Sequence, residues 1–244
     1  MEILADGLLG LAAGFISALS TGGGLLTIPG LTLLGVPPVA AIATSRFGAV
    51  SAAISSTIRY QRSGAIDWRY MPYFAVVAVL AGIIGPRILL QLDEGLVENA
   101  VGLILLGLLP LLLLQKDLGV IERIVTRRRK IVGLGLLAAV LLYTTMFGAG
   151  SGILFLYVLV YCFGMRIIQA NATCTVVSLI GSSVALVSFI QSGNVVFYLA
   201  IPLSIGALAG GYIGAHTALK KGSAWIKWLL AAVIIVSSVK LLAH

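Results

Sequence analysis

The feature that most limits what this chain can become is its alternation of long apolar runs with short polar breaks. A helix crossing a hydrocarbon core about 30 Å thick needs about 20 mostly apolar residues, since each residue advances it by about 1.5 Å. Five such segments occupy the first half: Ile3–Leu19, Leu25–Leu34, Val39–Ile58, Tyr70–Leu90 and Leu96–Leu114. A basic stretch, Lys116–Lys130, precedes five more: Ile131–Met146, Ile153–Phe163, Ile167–Ile190, Val195–Ala218 and Trp225–Leu242. The second segment of each set is too short to span. It is expected to be a half-helix or re-entrant piece, ended by the glycines beside it. Only 10% of the residues are charged and 60% are apolar, whereas soluble domains carry about 25% charged residues. This balance excludes a water-soluble enzyme, a nucleic-acid-binding module and a disordered chain. The net charge of +8 sits in short segments between apolar runs and is not a nucleic-acid footprint. The fold class expected is an all-α polytopic membrane protein, multi-pass in the cell (inner or plasma) membrane. The start, Met1 to Asp6, is acidic where a signal peptide would be basic, and reads as part of the mature protein. Cys162 and Cys174 lie in apolar surroundings and do not suggest a disulfide.

The chain is also self-similar. An ungapped shift of 129 residues (152 − 23) carries Gly23 onto Gly152, Leu25 onto Leu154 and Gly35 onto Gly164. It places Ala41, Ala43 and Thr44 on Ala170, Ala172 and Thr173, and Ser63-Gly64 on Ser192-Gly193. Ala78, Gly82, Gly85 and Leu90 fall on Ala207, Gly211, Gly214 and Leu219. A single offset linking breaks to breaks indicates a tandem repeat: residues 1–115, a basic linker 116–130, and residues 131–244. One integrated domain is expected, because neither half could cover its broken helices alone.

Lysine and arginine mark cytoplasmic loops. Arg59, Arg62 and Arg69, then Lys116 to Lys130, then Lys220, Lys221 and Lys227, assign three loops to that side. The loop of Asp93, Glu94 and Glu98, the Gln191–Asn194 loop and the acidic start are expected outside. Equivalent loops of the two halves then fall on opposite sides. The repeats are expected to be inverted, with about five helical segments each and broken half-helices at glycine-rich turns. That is a common transporter design.

The stretch Thr21-Gly22-Gly23-Gly24-Leu25-Leu26-Thr27-Ile28-Pro29, followed by Gly35-Val36-Pro37-Pro38 and Val39 to Ser45, resembles the amino-terminal signature of the sulfite exporter TauE/SafE family of membrane permeases. Gly148-Ala149-Gly150-Ser151-Gly152 with Gly164 to Thr173 resembles that family's weaker second copy, and the likeness extends over essentially the whole chain. The resemblance implies transport of small sulfur-containing anions such as sulfite, sulfoacetate or other sulfonates. The second copy has Val158 and Arg166 where the first has Pro29 and Pro37, so the halves need not contact substrate equally.

The residues themselves point to an anion site. Glycine clusters at Gly22–Gly24 and Gly148–Gly152, the latter including the candidates Gly150 and Gly152, would bare backbone N–H groups at two half-helix starts, directing positive dipole ends at one midplane position. Close helix packing is the alternative, and is preferred for Gly82, Gly85, Gly206, Gly210, Gly211 and Gly214. Arg46 lies eight residues into its segment beside Thr44 and Ser45, too deep to snorkel easily, where a charge costs a few kcal/mol without a partner. All eight acidic residues read as lying in termini, loops or loop margins, which leaves a substrate anion as the natural counter-ion. A lipid phosphate or helix carbonyls are the competing partners. In the second half Gln169, Asn171 and Thr173 form a polar run, suited either to sulfonate oxygens or to gluing helices. With Thr21 and Ser151 these residues complete the candidate binding set. Arg87, His216 and Cys174 are candidates for gating or coupling; packing is equally open for Arg87 and is the preferred role for His216 and Cys174.

The expected activity is a secondary transporter, with export driven by the membrane potential. A proton-coupled importer of the same anions is the alternative, and a membrane-embedded enzyme or assembly factor a more distant one. Two histidines and two cysteines supply no catalytic set, metal cluster or phosphate loop, so no cofactor or metal is expected. The bilayer and a small anion are the expected partners, nucleic acid is not, and a homodimer is left open.

Overall fold

The computed structural model describes residues 2–20, 22–93, 95 and 125–242. Among these there are eight helices and no strand: α1 (Glu2–Ser20), α2 (Gly24–Leu33), α3 (Pro38–Arg62), α4 (Met71–Leu89), α5 (Arg127–Met146), α6 (Ser151–Phe163), α7 (Ile167–Gln191) and α8 (Phe197–Leu242). Five are long and apolar enough to cross a bilayer: α3, α4, α5, α7 and the Phe197–Lys221 part of α8. The expected segment Leu96–Leu114 and most of the basic linker lie outside the described residues.

Local sequence explains the breaks. Pro38 opens α3 at a position where its missing N–H costs nothing. Gly35, Gly64, Gly164 and Gly193 end α2, α3, α6 and α7 with φ of 82°, 69°, 72° and 74°, the left-handed conformation that glycine adopts without strain. The four form two pairs under the 129-residue shift. The same shift carries the bounds of α3 onto those of α7 (38 + 129 = 167; 62 + 129 = 191).

Both half-helices turn back. A Cβ on Gly23 would meet Ala13 and Ser17 of α1, and one on Gly30 would meet Leu9, so α2 retraces α1. In the second half a Cβ on Gly133 would meet Cys162 and Phe163, so α6 likewise retraces α5. At about 1.5 Å per residue, α2 is about 15 Å long and α6 about 20 Å.

The halves pack reciprocally. α1 lies along α8, and its counterpart α5 lies along α4; α3 packs on α8, and α7 on α4. At the centre α3 and α7 run antiparallel. The amide nitrogen of Asn171 reaches the Tyr60 hydroxyl at 2.9 Å near one end, and the N–H of Val196 donates to Thr44 Oγ1 at 3.0 Å near the other. Glycines make the closest contacts: a Cβ on Gly206 or Gly210 would collide with backbone of Gly7 or Leu11, and one on Gly82 with Gly181 and Val184. Gly85, Gly211 and Gly214 are equally tight, against Thr145, Ala52 and Phe15. Such contacts let helices approach where no hydrophobic effect drives them together.

Two expectations need correction. Val195–Ala218 and Trp225–Leu242 are joined in one helix, α8, that continues through Lys220-Lys221-Gly222-Ser223. A lone glycine costs a helix about 1 kcal/mol and does not end it unaided. Asp6 is not part of a loose acidic terminus: it lies within α1 and is 1% exposed.

Basic side chains of two elements meet at Tyr70. Lys130 of α5 lies 5.2 Å from the centre of the Tyr70 ring and Arg69 lies 5.9 Å from it. Asp67 and Arg69 form an ion pair at 2.8 Å in the α3–α4 loop. Partial burial pushes the Asp67 carboxyl up, but hydrogen bonds and charge from Arg69 outweigh it and hold the group below its usual value.

Candidate functional site

A cavity of about 40 Å³ opens where the α1–α2 turn meets α3, α7 and the α5–α6 turn. A Cβ on Gly24 would lie 3.2 Å from the Ala149 nitrogen and 3.2 Å from the Gly148 carbonyl carbon, so the two glycine turns abut. Any side chain at Gly24 would force them apart. The second turn is shaped by Gly150, left-handed at φ 68°, and tied by the Ser151 hydroxyl, which donates to the Gly148 carbonyl at 3.2 Å.

Arg46 carries the site's charge. It projects from α3 and is 3% exposed, with its Nη2 donating to the carbonyls of Thr144 at 2.6 Å and Thr145 at 3.0 Å. These carbonyls belong to the last turn of α5, whose dipole end is negative and suits a cation. The guanidinium rests against Gly148, where a Cβ would come within 3.0 Å of Nη1. Its Nε has no hydrogen-bond partner among the described residues. The same is true of the Ser178 hydroxyl on α7, 8% exposed and also lining the cavity. Both residues line the cavity, and neither atom has an acceptor among the described residues.

The candidate residues separate into several groups. Gly23, Gly24, Ser45 and Arg46 line the cavity, and Gly22 is buried in the turn before it. Thr21 lies outside the described residues. Gly150, Ser151 and Gly152 are buried and build the second turn without lining the cavity, which Gly148 lines instead. Thr44 and Thr173, equivalent under the shift, make equivalent bonds: each hydroxyl oxygen accepts at 3.0 Å from the backbone N–H of the loop in the opposite half, Val196 and Asp67. Asn171 donates to the Ala18 carbonyl and to Tyr60 Oη, both at 2.9 Å, tying α7 to α1 and α3. Gln169 caps α7, its side-chain oxygen accepting from the Arg166 N–H at 3.1 Å. Cys174 is buried away from the cavity. Arg87 is exposed in the last turn of α4, and His216 is exposed with Nδ1 3.2 Å from Arg59 Nη2.

Thr175, Ser178 and Ser182 line the cavity but were not among the residues the sequence singled out. Their spacing of three, four and seven is a one-face helical stripe, and Thr175 is the counterpart of Arg46 (46 + 129 = 175). Combining that stripe with the repeat would have found them.

Comparison with known proteins identifies the chain's relatives. The model of a family described as sulfite exporter TauE/SafE matches residues 7–241. The chain belongs to the TauE/SafE family. It is a membrane transporter of that family, with several helices able to cross a bilayer. The TauE/SafE chain is 26% identical over 220 residues to a probable membrane transporter protein of Haemophilus influenzae, covering 89% of this chain and 86% of the relative. It is 25% identical over 232 residues to probable membrane transporter protein ORF9 of a Sinorhizobium species, covering 95% and 88%. Probable membrane transporter protein YfcA of Escherichia coli K12 is 26% identical over 234 residues, covering 94% and 86%. No solved structure matches the chain significantly.

Proposed function

We propose that this chain moves a small sulfur-containing oxyanion outward across the cell membrane, by alternating access of two inverted repeats around the Arg46 cavity. The observation that carries the reading is that Arg46 and Ser178 line one cavity and that their Nε and Oγ, both buried, have no partner among the described residues. Leaving a buried donor unsatisfied costs about 1–3 kcal/mol, and more when it is charged. An oxyanion supplies acceptors to both. The first turn of α2 lines the same space through Gly23 and Gly24, and helix N-termini favour anions. Ser45 completes the α3 wall, while Thr44, Asn171 and Thr173 position the helices that carry the donors.

The substrate class follows the family description, which names sulfite export. Direction follows from charge: an inside-negative potential of about 100 mV favours outward movement of a monoanion by about 2.3 kcal/mol. Proteoliposomes loaded with sulfite should release it faster when the voltage is made more inside-negative. A strict requirement for a pH or sodium gradient, with no response to voltage, would refute uncoupled export.

Buried Asp6 favours a second reading, transport coupled to protons, because buried carboxylates serve as relays in transporters. Asp6→Asn separates the two. It abolishes pH-gradient-driven flux in the coupled case and leaves voltage-driven flux intact in the uncoupled one.

A further inference from the structure

We infer that Tyr60 and Asn171 form a hydrogen-bonded gate at the end of the cavity nearer Arg59 and Arg62, and that the opposite end has no equivalent. The inference rests on the reading of the cavity as the passenger's route.

The gate lies where the cavity walls run on. On α3, Ala49, Ala53 and Ser56 line the cavity, and their spacing of four and three continues to Tyr60 on the same helical face. On α7, Ser182, Ser178 and Thr175 line it, and the same stripe continues to Asn171. Because α3 and α7 run antiparallel, the two continuations reach one end. There the Tyr60 hydroxyl donates to the Ala18 carbonyl at 2.7 Å, and the Asn171 amide donates to that carbonyl and to Tyr60 Oη, both at 2.9 Å. Ala18 lies in the last turn of α1, next to Ser17 of the cavity wall, where helix carbonyls lack intrahelical partners. All three residues are buried, at 0%, 1% and 1% exposure for Tyr60, Asn171 and Ala18. Three elements drawn from both halves thus close on one oxygen.

The other end is built differently. The shift of 129 residues carries Ala18 and Tyr60 onto Phe147 and Phe189, and Ile42 onto Asn171. Phe147, Phe189 and Ile42 are buried and can form no such set of bonds. The bonds of Thr44 and Thr173, by contrast, occur in both halves. A hydrogen-bonded closure trades its bonds for water at small net cost when it opens, whereas opening an apolar closure wets its whole surface. Tyr60 is therefore a positioning residue that sets how often one end of the route opens.

Side-specific thiol labelling tests this. The full chain carrying Cys162→Ser, Cys174→Ala and Ala53→Cys, with its new thiol in the cavity wall, is prepared in membrane vesicles of both orientations. The reagent is 2-sulfonatoethyl methanethiosulfonate, which does not cross lipid, in short pulses read as initial rates. Gln61→Cys, exposed in the last turn of α3, identifies the face that bears Arg59. Tyr60→Phe keeps the ring and should raise labelling from that face about tenfold, in line with the net worth of one to two hydrogen bonds. Labelling from the opposite face should not change. Asn171→Leu should act alike from the other half, and the two changes together should add little, since they break one unit. Equal rises from both faces indicate general loosening and overturn the gate, as does no rise from the Arg59 face. Methanesulfonate should slow labelling of the parent. If it does not, while Tyr60→Phe still gives a one-sided rise, the anion site fails and the gate stands. No labelling from either face in any variant means that the cavity is not a passage, and overturns both.

Discussion

The turn at Gly22–Gly24 and the turn at Gly148–Gly152 follow one plan, a helix reversing into a half-helix, yet they meet the cavity differently. Ala13, Gly14 and Ser17 line the cavity from α1. The shift of 129 residues brings Leu142, Tyr143 and Met146 to the matching places on α5. There the Tyr143 hydroxyl donates to the Ala149 carbonyl and closes the turn. Charge divides the same way: Arg46 on α3 matches Thr175 on α7. Arg46 also uses the second turn as a support, bonding the α5 carbonyls and lying against Gly148. Duplication of a backbone therefore does not duplicate a site. Small side chains of α1 line the cavity at one turn, and larger ones stand at the matching places on α5.

The largest expected effect breaks the charge difference. Arg46→Gln should weaken anion binding at least tenfold, in line with about 1.5–3 kcal/mol for a hydrogen bond to a charged group. Calorimetry measures the loss, and a retained melting transition separates it from unfolding. Unchanged affinity would remove Arg46 from the site.

Exchanging residues between the turns comes next. Ser17→Met places the second half's residue in the cavity wall, and should abolish flux in proteoliposomes while costing about 1–3 kcal/mol through overpacking. The reverse change, Met146→Ser, should destabilise the fold by a similar amount and leave anion affinity unaltered. If both variants lose binding equally, the two turns are not functionally distinct.

A smaller effect concerns what the halves share. Thr44→Val and Thr173→Val each strand one backbone N–H, of Val196 and of Asp67, and each should lower stability by about 1–2 kcal/mol. Denaturation in mild detergent compares them. Near-equal losses are expected, since the two bonds have the same length and geometry of exchange.

The smallest belongs to a feature present in one half only. Asp67 pairs with Arg69, whereas the shift places Val196 and Tyr198 there. Because the folded carboxyl is held below its usual value, the pair adds stability above the unfolded carboxylate range, near pH 4. That contribution fades as pH falls through the folded value. Arg69 is largely solvent-exposed, so solvent screening keeps the effect small. Asp67→Asn should flatten the acid limb of the stability profile, with a small loss of stability at neutral pH that vanishes at low pH.

Much of the fold was legible in the chain itself. Apolar run lengths located the helices, and the glycines at 35, 64, 164 and 193 marked where α2, α3, α6 and α7 end. These are local properties, set by transfer free energy and backbone sterics, and they survive whatever packs nearby. The depth of Arg46 was legible for the same reason. The join within α8 was not, because Gly222 alone weakens a helix without deciding whether it stops.

The division of labour among the polar residues came from tertiary structure alone. Thr44, Thr173 and Asn171 looked like ligands and are occupied by bonds between the halves, while Ser178 drew no notice and lines the cavity. Helical periodicity says which side chains share a face. Whether that face meets a backbone amide or an open space depends on how two antiparallel helices rotate against each other, and no residue encodes that rotation by itself.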